Sequence, residues 1–300
     1  MNISSRGFAN QFNSQLQVLQ AQNLQYMTKL GSGHKFQKAS EAPTEASSVF
    51  RVQSSRMELG QCIKNGTYAR SLTDISAQVI EKMMEVNGEV GAYSVEFSEL
   101  NRDALEGIRS TINGFLEQMV DYANTQQMGT YLFSANAVTE QPFKVIRDEH
   151  TQQIKNVQYK GGEANNCFSI GPTVEMNPLT DAQENRQLED VIKNLIEMRN
   201  AFFENPPNSE KILETGKAVI KDNETIFSDI LGSLGAKATR IEHADQQNQF
   251  IMADLQKITS QNIDVDLTDM VVKFQQAQHA YQAALQAGSH VLNLSLLNYL

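Results

Sequence analysis

Five histidines, His34, His150, His243, His279 and His290, are the side chains best suited to hold a metal or move a proton. No two of them stand at the H-x-x-x-H or H-E-x-x-H spacing that puts two imidazoles on one helix face. Glu242, His243 and Asp245 are neighbours, but consecutive helical residues point in different directions, so they read as a solvated charged face. Asp264 and Asp266 could form a carboxylate pair or contribute to a calcium loop. The other oxygen ligands of such a loop are missing, and capping of the helix that follows accounts for Asp266. Cys62 and Cys167 are too few for a disulfide framework or a C-x-x-C site and read as reduced thiols. There is no G-x-S-x-G and no G-x-x-x-x-G-K, and Gly31-Ser32-Gly33 reads as linker. No catalytic, cofactor-binding or metal site is read here, and an enzyme is not expected.

Charge and hydropathy narrow the partners. With 25 basic against 35 acidic residues the formal charge is −10, spread along the chain, whereas phosphate binding needs clustered Lys and Arg. Neither nucleic acid nor a membrane is expected as a partner, since the longest apolar runs fall far short of the roughly 20 residues of a span. Residues 1–20 carry one Arg and no continuous apolar region, so no cleaved secretory signal is expected. With 40% hydrophobic residues, six Pro and no Trp, the composition favours long helices over one large core.

Assembly is what remains, and periodicity points to it. Leu267, Val271, Phe274, Gln278, Tyr281, Leu285, Gly288, Leu292, Ser295 and Tyr299 alternate spacings of four and three, with Met270, Ala277, Ala284 and Val291 beside them. That is a heptad seam. It is flanked at its end by Leu296, Leu297 and Leu300. Phe12, Leu16, Leu19, Asn23, Tyr26 and Leu30 repeat the alternation near the start. Two such seams predict an antiparallel coiled coil between the terminal segments. Few charges lie between the seam positions, so ion pairs that would fix one partner are scarce. The ends are therefore expected to be weakly folded alone and completed by other subunits.

Between the seams the fold class read is mainly α, with long helical rods and a small central β region. Residues 1–42 are the N-terminal coiled-coil segment and its linker, and 43–135 a helical rod that resumes at Pro43 or Thr44. In that rod Val49, Val52, Leu59, Ile63, Leu72, Ile75, Val79, Met83 and Val86 form a stripe. Asn87-Gly88 with Gly91 predicts a turn, after which Ile108, Ile112, Phe115 and Met119 mark a second helix folding back on the first. Residues 136–180 alternate in short apolar runs broken by Gly161-Gly162 and Gly171-Pro172 and read as β. Helix returns over 181–260, interrupted at Asn205-Pro206-Pro207-Asn208, and 261–300 is the C-terminal coiled-coil segment.

These residues resemble the bacterial flagellin superfamily, most closely its hook-filament junction proteins of the FlgL type. The resemblance rests on Ile263-Asp264-Val265-Asp266-Leu267-Thr268, Phe274-Gln275-Gln276-Ala277 and Tyr281-Gln282-Ala283-Ala284-Leu285-Gln286. It also rests on Ser295-Leu296-Leu297-Asn298-Tyr299-Leu300, Gly129-Thr130-Tyr131-Leu132-Phe133-Ser134 and Val157-Gln158-Tyr159-Lys160-Gly161-Gly162. Ala39-Ser40-Glu41-Ala42-Pro43 departs mildly from the Ser-Asp-Asp-Pro usual in the linker. The resemblance implies export without a cleaved signal, an extracellular place in the flagellum, and self-association in a helical lattice. It implies as partners the first hook-associated protein, flagellin and a cytoplasmic export chaperone. The assembly interface it implies runs through Phe12, Leu16, Leu19, Tyr26, Leu30, Leu267, Val271, Phe274, Tyr281, Leu285, Leu292, Leu296, Leu297 and Leu300. Two alternatives stay open: a short flagellin forming the filament itself, and a cytoplasmic coiled-coil scaffold or signalling protein.

Overall fold

The computed structural model describes residues 5–96, 102–137, 139–164, 166–204 and 209–297. Six helices dominate it: α1 (Ser5–Ser32), α2 (Pro43–Glu96), α3 (Arg102–Ala123), α4 (Ala182–Phe203), α5 (Ser209–Ile263) and α6 (Leu267–Leu297). Between α3 and α4 lie six short strands, β1 (Gln126–Gln127), β2 (Thr130–Tyr131), β3 (Phe143–Arg147), β4 (Ile154–Tyr159), β5 (Phe168–Gly171) and β6 (Val174–Met176). They pair antiparallel as three separate two-stranded sheets, β1-β2, β3-β4 and β5-β6. The chain is thus mainly α with a small β region, as its periodicity predicts. Residues 1–57 with 251–300 form one compact unit, and residues 58–250 form a second.

The second unit holds a continuous hydrophobic core. Leu72, Ile80 and Met83 of α2, Ile112, Leu116 and Met119 of α3, Leu188, Val191 and Leu195 of α4, and Phe227, Ile230 and Leu234 of α5 are buried in it together. A two-stranded sheet is marginal by itself in water, and here each of the two larger sheets leans on helices. Phe143, Ile154 and Val157 of the β3-β4 pair sit in the main core, while Ile170 and Met176 of β5 and β6 join Ala69 and Ile241 in a smaller cluster. The Asn124 side chain ties α3 to the sheet as a strand would: its amide donates to the Phe143 carbonyl at 3.1 Å and its Oδ1 accepts from the Phe143 N–H at 3.0 Å.

Three asparagines inside this unit are paired into a chain. Asn223 Nδ2 donates to Asn87 Oδ1 at 2.9 Å, Asn87 Nδ2 to the Val219 carbonyl at 2.8 Å, and Asn194 Nδ2 to Asn223 Oδ1 at 2.7 Å. Three asparagines so lock α2, α4 and α5 in register, because slippage would strand buried amides. α4 starts with a capping box in which the Asp181 carboxylate accepts from the Glu184 N–H and the Glu184 carboxylate from the Asp181 N–H. Burial pushes the Tyr159 phenol up and the Arg199 guanidinium down from their ordinary values. Arg199 Nη1 donates to Asn113 Oδ1, and its Nε and Nη2 to Asn200 Oδ1.

The predicted turn at Asn87-Gly88 and Gly91 is not there, and α2 continues to Glu96. Here the glycine serves close packing instead. A Cβ on Gly91 would stand 2.6 Å from Ile220 Cγ1, and one on Gly216 would stand 2.1 Å from Ser94 Oγ. α2 and α5 approach through those bare positions, and the packing gained outweighs the roughly 1 kcal/mol propensity cost of a helical glycine. The predicted helix stop at 205–208 lies outside the described residues.

Candidate assembly surface

No charged side chain interrupts residues 7–28, and residues 274–300 contain no Asp, Glu, Lys or Arg. These stretches make up most of α1 and α6, which pack against each other as an antiparallel pair. The ring of Phe12 seats on Gly288, where an added Cβ would meet Phe12 Cζ at 2.1 Å. At the other end of the pair the two linkers meet: His34 and Asp264 form a single antiparallel β-bridge, the Lys35 N–H donates to the Ile263 carbonyl at 2.7 Å, and the Val265 N–H to the Gly33 carbonyl at 2.9 Å. Gly33 has φ +71° at this crossing, a conformation that glycine adopts without steric cost.

Asp266 caps α6 as its sequence position predicts. Its Oδ1 accepts from the Thr268 and Asp269 N–H groups at 2.9 and 3.2 Å. Asp269 sits in the first turn, where the helix dipole favours a negative charge, and pairs with Lys273 at 2.7 Å. The hydrogen bond from Lys273 to Asp269 holds the ammonium above its ordinary range.

The α1 seam lies where the sequence puts it, with Phe12, Leu16, Leu19, Asn23, Tyr26 and Leu30 each half-buried on one face. The α6 face is turned. Its covered row is Met270, Phe274, Ala277, Tyr281, Ala284 and Gly288, which keeps Phe274, Tyr281 and Gly288 of the seam read from spacing. Leu267, Val271 and Leu285 lie on a row displaced by roughly 70° at 3.6 residues per turn. The reason is size: Ala277, Ala284 and Gly288 let α1 come close, and Phe12 needs the glycine seat. Leu292, Leu296 and Leu297 stand on α6 with side chains outside the described residues, and Leu300 lies outside them altogether.

As a result apolar surface stays uncovered. Val18, Leu24, Met27, Leu267, Val271, Val272 and Leu285 remain between 41 and 62% exposed. A groove of about 260 Å³ runs along one flank of the pair, between Gln20, Asn23, Leu24 and Met27 of α1 and Phe274, Gln278 and Tyr281 of α6. Another, of about 550 Å³, runs beside Gln11, Gln15, Val18 and Gln22 with Ala284. Among the described residues no group of three or more His, Cys, Asp or Glu could hold a metal ion, and no helix is long and apolar enough to cross a membrane. Cys62 is buried with its Sγ 3.8 Å from Ser169 Oγ, and Cys167 is exposed. Spacing alone could not separate the two rows of α6, because both are largely apolar and share Phe274, Tyr281 and Gly288.

No protein-family model matches the chain, and no curated protein matches it in sequence. Solved structures do. A protein designated a flagellar hook-associated protein of Vibrio parahaemolyticus superposes with a TM-score of 0.65 at 12% identity, covering 75% of this chain and 100% of that one. The fold is that of flagellar hook-associated proteins. FlgL of Xanthomonas campestris shares it with a TM-score of 0.54 at 12% identity, over 66% of this chain and 99% of that one. At such identities few side chains are the same, and the likeness is one of fold.

Proposed function

We propose that this chain is a structural subunit of the bacterial flagellum that forms the junction zone between a hook-associated protein and the flagellin filament. The observation that carries the reading is the α1-α6 pair, free of charged residues over 7–28 and 274–297, with apolar side chains left uncovered, in a chain with the hook-associated fold. A chain of formal charge −10 repels its copies except where they meet through neutral surface. An apolar row with no partner in its own chain is completed by another subunit. Of the interface read from the sequence, Leu267, Val271 and Leu285 lie on the uncovered row and face other subunits, whereas Phe12, Leu16, Leu19, Tyr26 and Leu30 with Phe274 and Tyr281 hold the pair together within the chain. Contacts of one patch with a different one build an open helical array when the rotation between copies does not close into a ring, which suits a tubular lattice. Export precedes assembly, with a chaperone covering the apolar rows in the cytoplasm, and the partners in place are further copies, the first hook-associated protein and flagellin.

The test is immunogold electron microscopy of intact flagella with an antibody against residues 141–175. The expected outcome is label in one narrow band where filament meets hook. Label along the whole filament would make the chain a flagellin, and label confined to the cell interior would overturn the flagellar reading in favour of a cytoplasmic scaffold.

A further inference from the structure

We propose that Asn113 is a site of spontaneous deamidation, and that the aspartate it yields completes an ion pair with the buried guanidinium of Arg199. Arg199 of α4 is 5% exposed. Its Nη1 donates to Asn113 Oδ1 at 3.3 Å, and its Nε and Nη2 donate to Asn200 Oδ1 at 3.1 and 2.7 Å. Among the described residues no carboxylate pairs with it. A guanidinium does not give up its proton, and a buried charge is costly until an opposite charge meets it. The negative end of the α4 dipole, one turn on, offsets only part of that cost. Arg199 is thus held by amides where a carboxylate would serve better, whatever the chain assembles into.

The chain holds three Asn-Gly pairs, Asn65-Gly66, Asn87-Gly88 and Asn113-Gly114. In such a pair no side chain on the glycine hinders ring closure. The glycine N attacks the asparagine Cγ and expels ammonia, giving a cyclic imide. Water then breaks the new Cγ–N bond, which leaves an aspartate carboxylate on the original backbone, with one water consumed and one ammonia released. All three pairs lie inside α2 or α3, where the glycine N–H is turned to the carbonyl four residues back and local opening must come first. That cost is common to the three, so their side chains decide. Asn65 Nδ2 donates to the Ser169 carbonyl at 2.9 Å and its Oδ1 accepts from Gln61 at 2.9 Å. The Asn87 amide is likewise bound at both ends, by the Val219 carbonyl and by Asn223. A carboxylate at either place would face a carbonyl oxygen with no proton to share. Asn113 uses its oxygen alone, and its Nδ2 has no partner among the described residues. It is half-buried, and Gly114 beside it is exposed, with nothing within 4 Å of an added Cβ. The Arg199 N–H polarises the Cγ carbonyl for attack, and the product carboxylate turns a neutral contact into a charge-assisted one.

The experiment incubates the full chain at mildly alkaline pH and follows the three pairs by peptide mass spectrometry, with fragmentation that separates aspartate from isoaspartate. Conversion at Asn113 should be about tenfold faster than at Asn65 or Asn87, the margin of one hydrogen bond fewer to break. Aspartate should be the main product, because isoaspartate adds a methylene to the α3 backbone. No conversion at Asn113, faster conversion at either other pair, or mainly isoaspartate at 113 overturns the proposal. The ion pair has a test of its own. Asn113→Asp should raise the thermal midpoint of the full chain by about 3–6 °C, and the same substitution beside Arg199→Met should bring no rise. An unchanged or lower midpoint for Asn113→Asp, or an equal rise in both backgrounds, overturns the pairing.

Discussion

The two compact units of this chain bury their apolar residues in opposite ways. In residues 58–250, Phe133, Phe143, Phe202 and Phe227 are wholly enclosed, and the asparagines among them satisfy one another. In residues 1–57 and 251–300, Ala277 is buried on α6, but among the described residues none of the large apolar side chains of the α1-α6 pair is fully buried, and several stay 41–62% exposed. The large apolar side chains of one unit are enclosed within the chain, whereas part of those on the α1-α6 pair is left uncovered. The difference teaches that the heptad seams carry two kinds of information, one row for the partner helix in the same chain and another for a surface outside it.

Substitutions can break that contrast, the largest effect first. Leu285→Asp places a charge on the uncovered row. It should abolish sedimentable assembly and motility while circular dichroism stays unchanged, because Leu285 is already exposed. Normal swimming by the variant would remove the row from the interface. Phe227→Ala empties a site in the closed core and should cost about 3–5 kcal/mol in denaturant unfolding, whereas Leu19→Ala on the half-covered seam should cost under about 1 kcal/mol. Equal costs would mean that the two units are not packed differently. Asn223→Leu leaves Asn87 Oδ1 and Asn194 Nδ2 without their Asn223 partner, for about 3 kcal/mol by the same measurement.

Gly288→Ala should loosen the α1-α6 pair by about 1–2 kcal/mol through its clash with Phe12, seen as faster proteolysis of residues 5–32. The combination with Phe12→Ala should recover part of that protection. The smallest effect is expected at Glu117, whose carboxyl is held below its ordinary value of 4.5 by the hydrogen bond from Arg147. A lowered carboxyl contributes stability that is fully present above the ordinary value and is lost as the pH falls through the lowered one. Both side chains are more than 40% exposed, so the contribution is about a few tenths of a kcal/mol. Glu117→Gln should flatten that acid-side slope in thermal melts.

Helix identity and order were legible in the sequence wherever apolar residues repeat over many turns, as in α4 and α5. So was the start of α2 at Pro43, because proline fixes its own φ. Gly91 and Gly216 were not: a glycine that admits a neighbouring helix looks, in one dimension, the same as one that ends a helix. The strand pairings were half legible. Alternation marked β3 and β4, but nothing local indicates that Asn124 would complete the edge of that sheet. Asn23 was read as a seam position from its spacing. That its Oδ1 is buried without a partner among the described residues depends on which face α6 turns to it, which the periodicity leaves open.

The bridge at His34 and Asp264 also governs how force would pass through the chain. α5 joins α6 through residues 264–266, whereas α1 joins α2 through residues 33–42. Pulled alone, the longer connection would pay out slack before α2 felt any tension. The two backbone hydrogen bonds at Gly33 and Lys35 clamp the long tether to the short one. A pull on either terminal helix then reaches α5 first, and the linker from Phe36 to Ala42 stays unloaded until the clamp gives way.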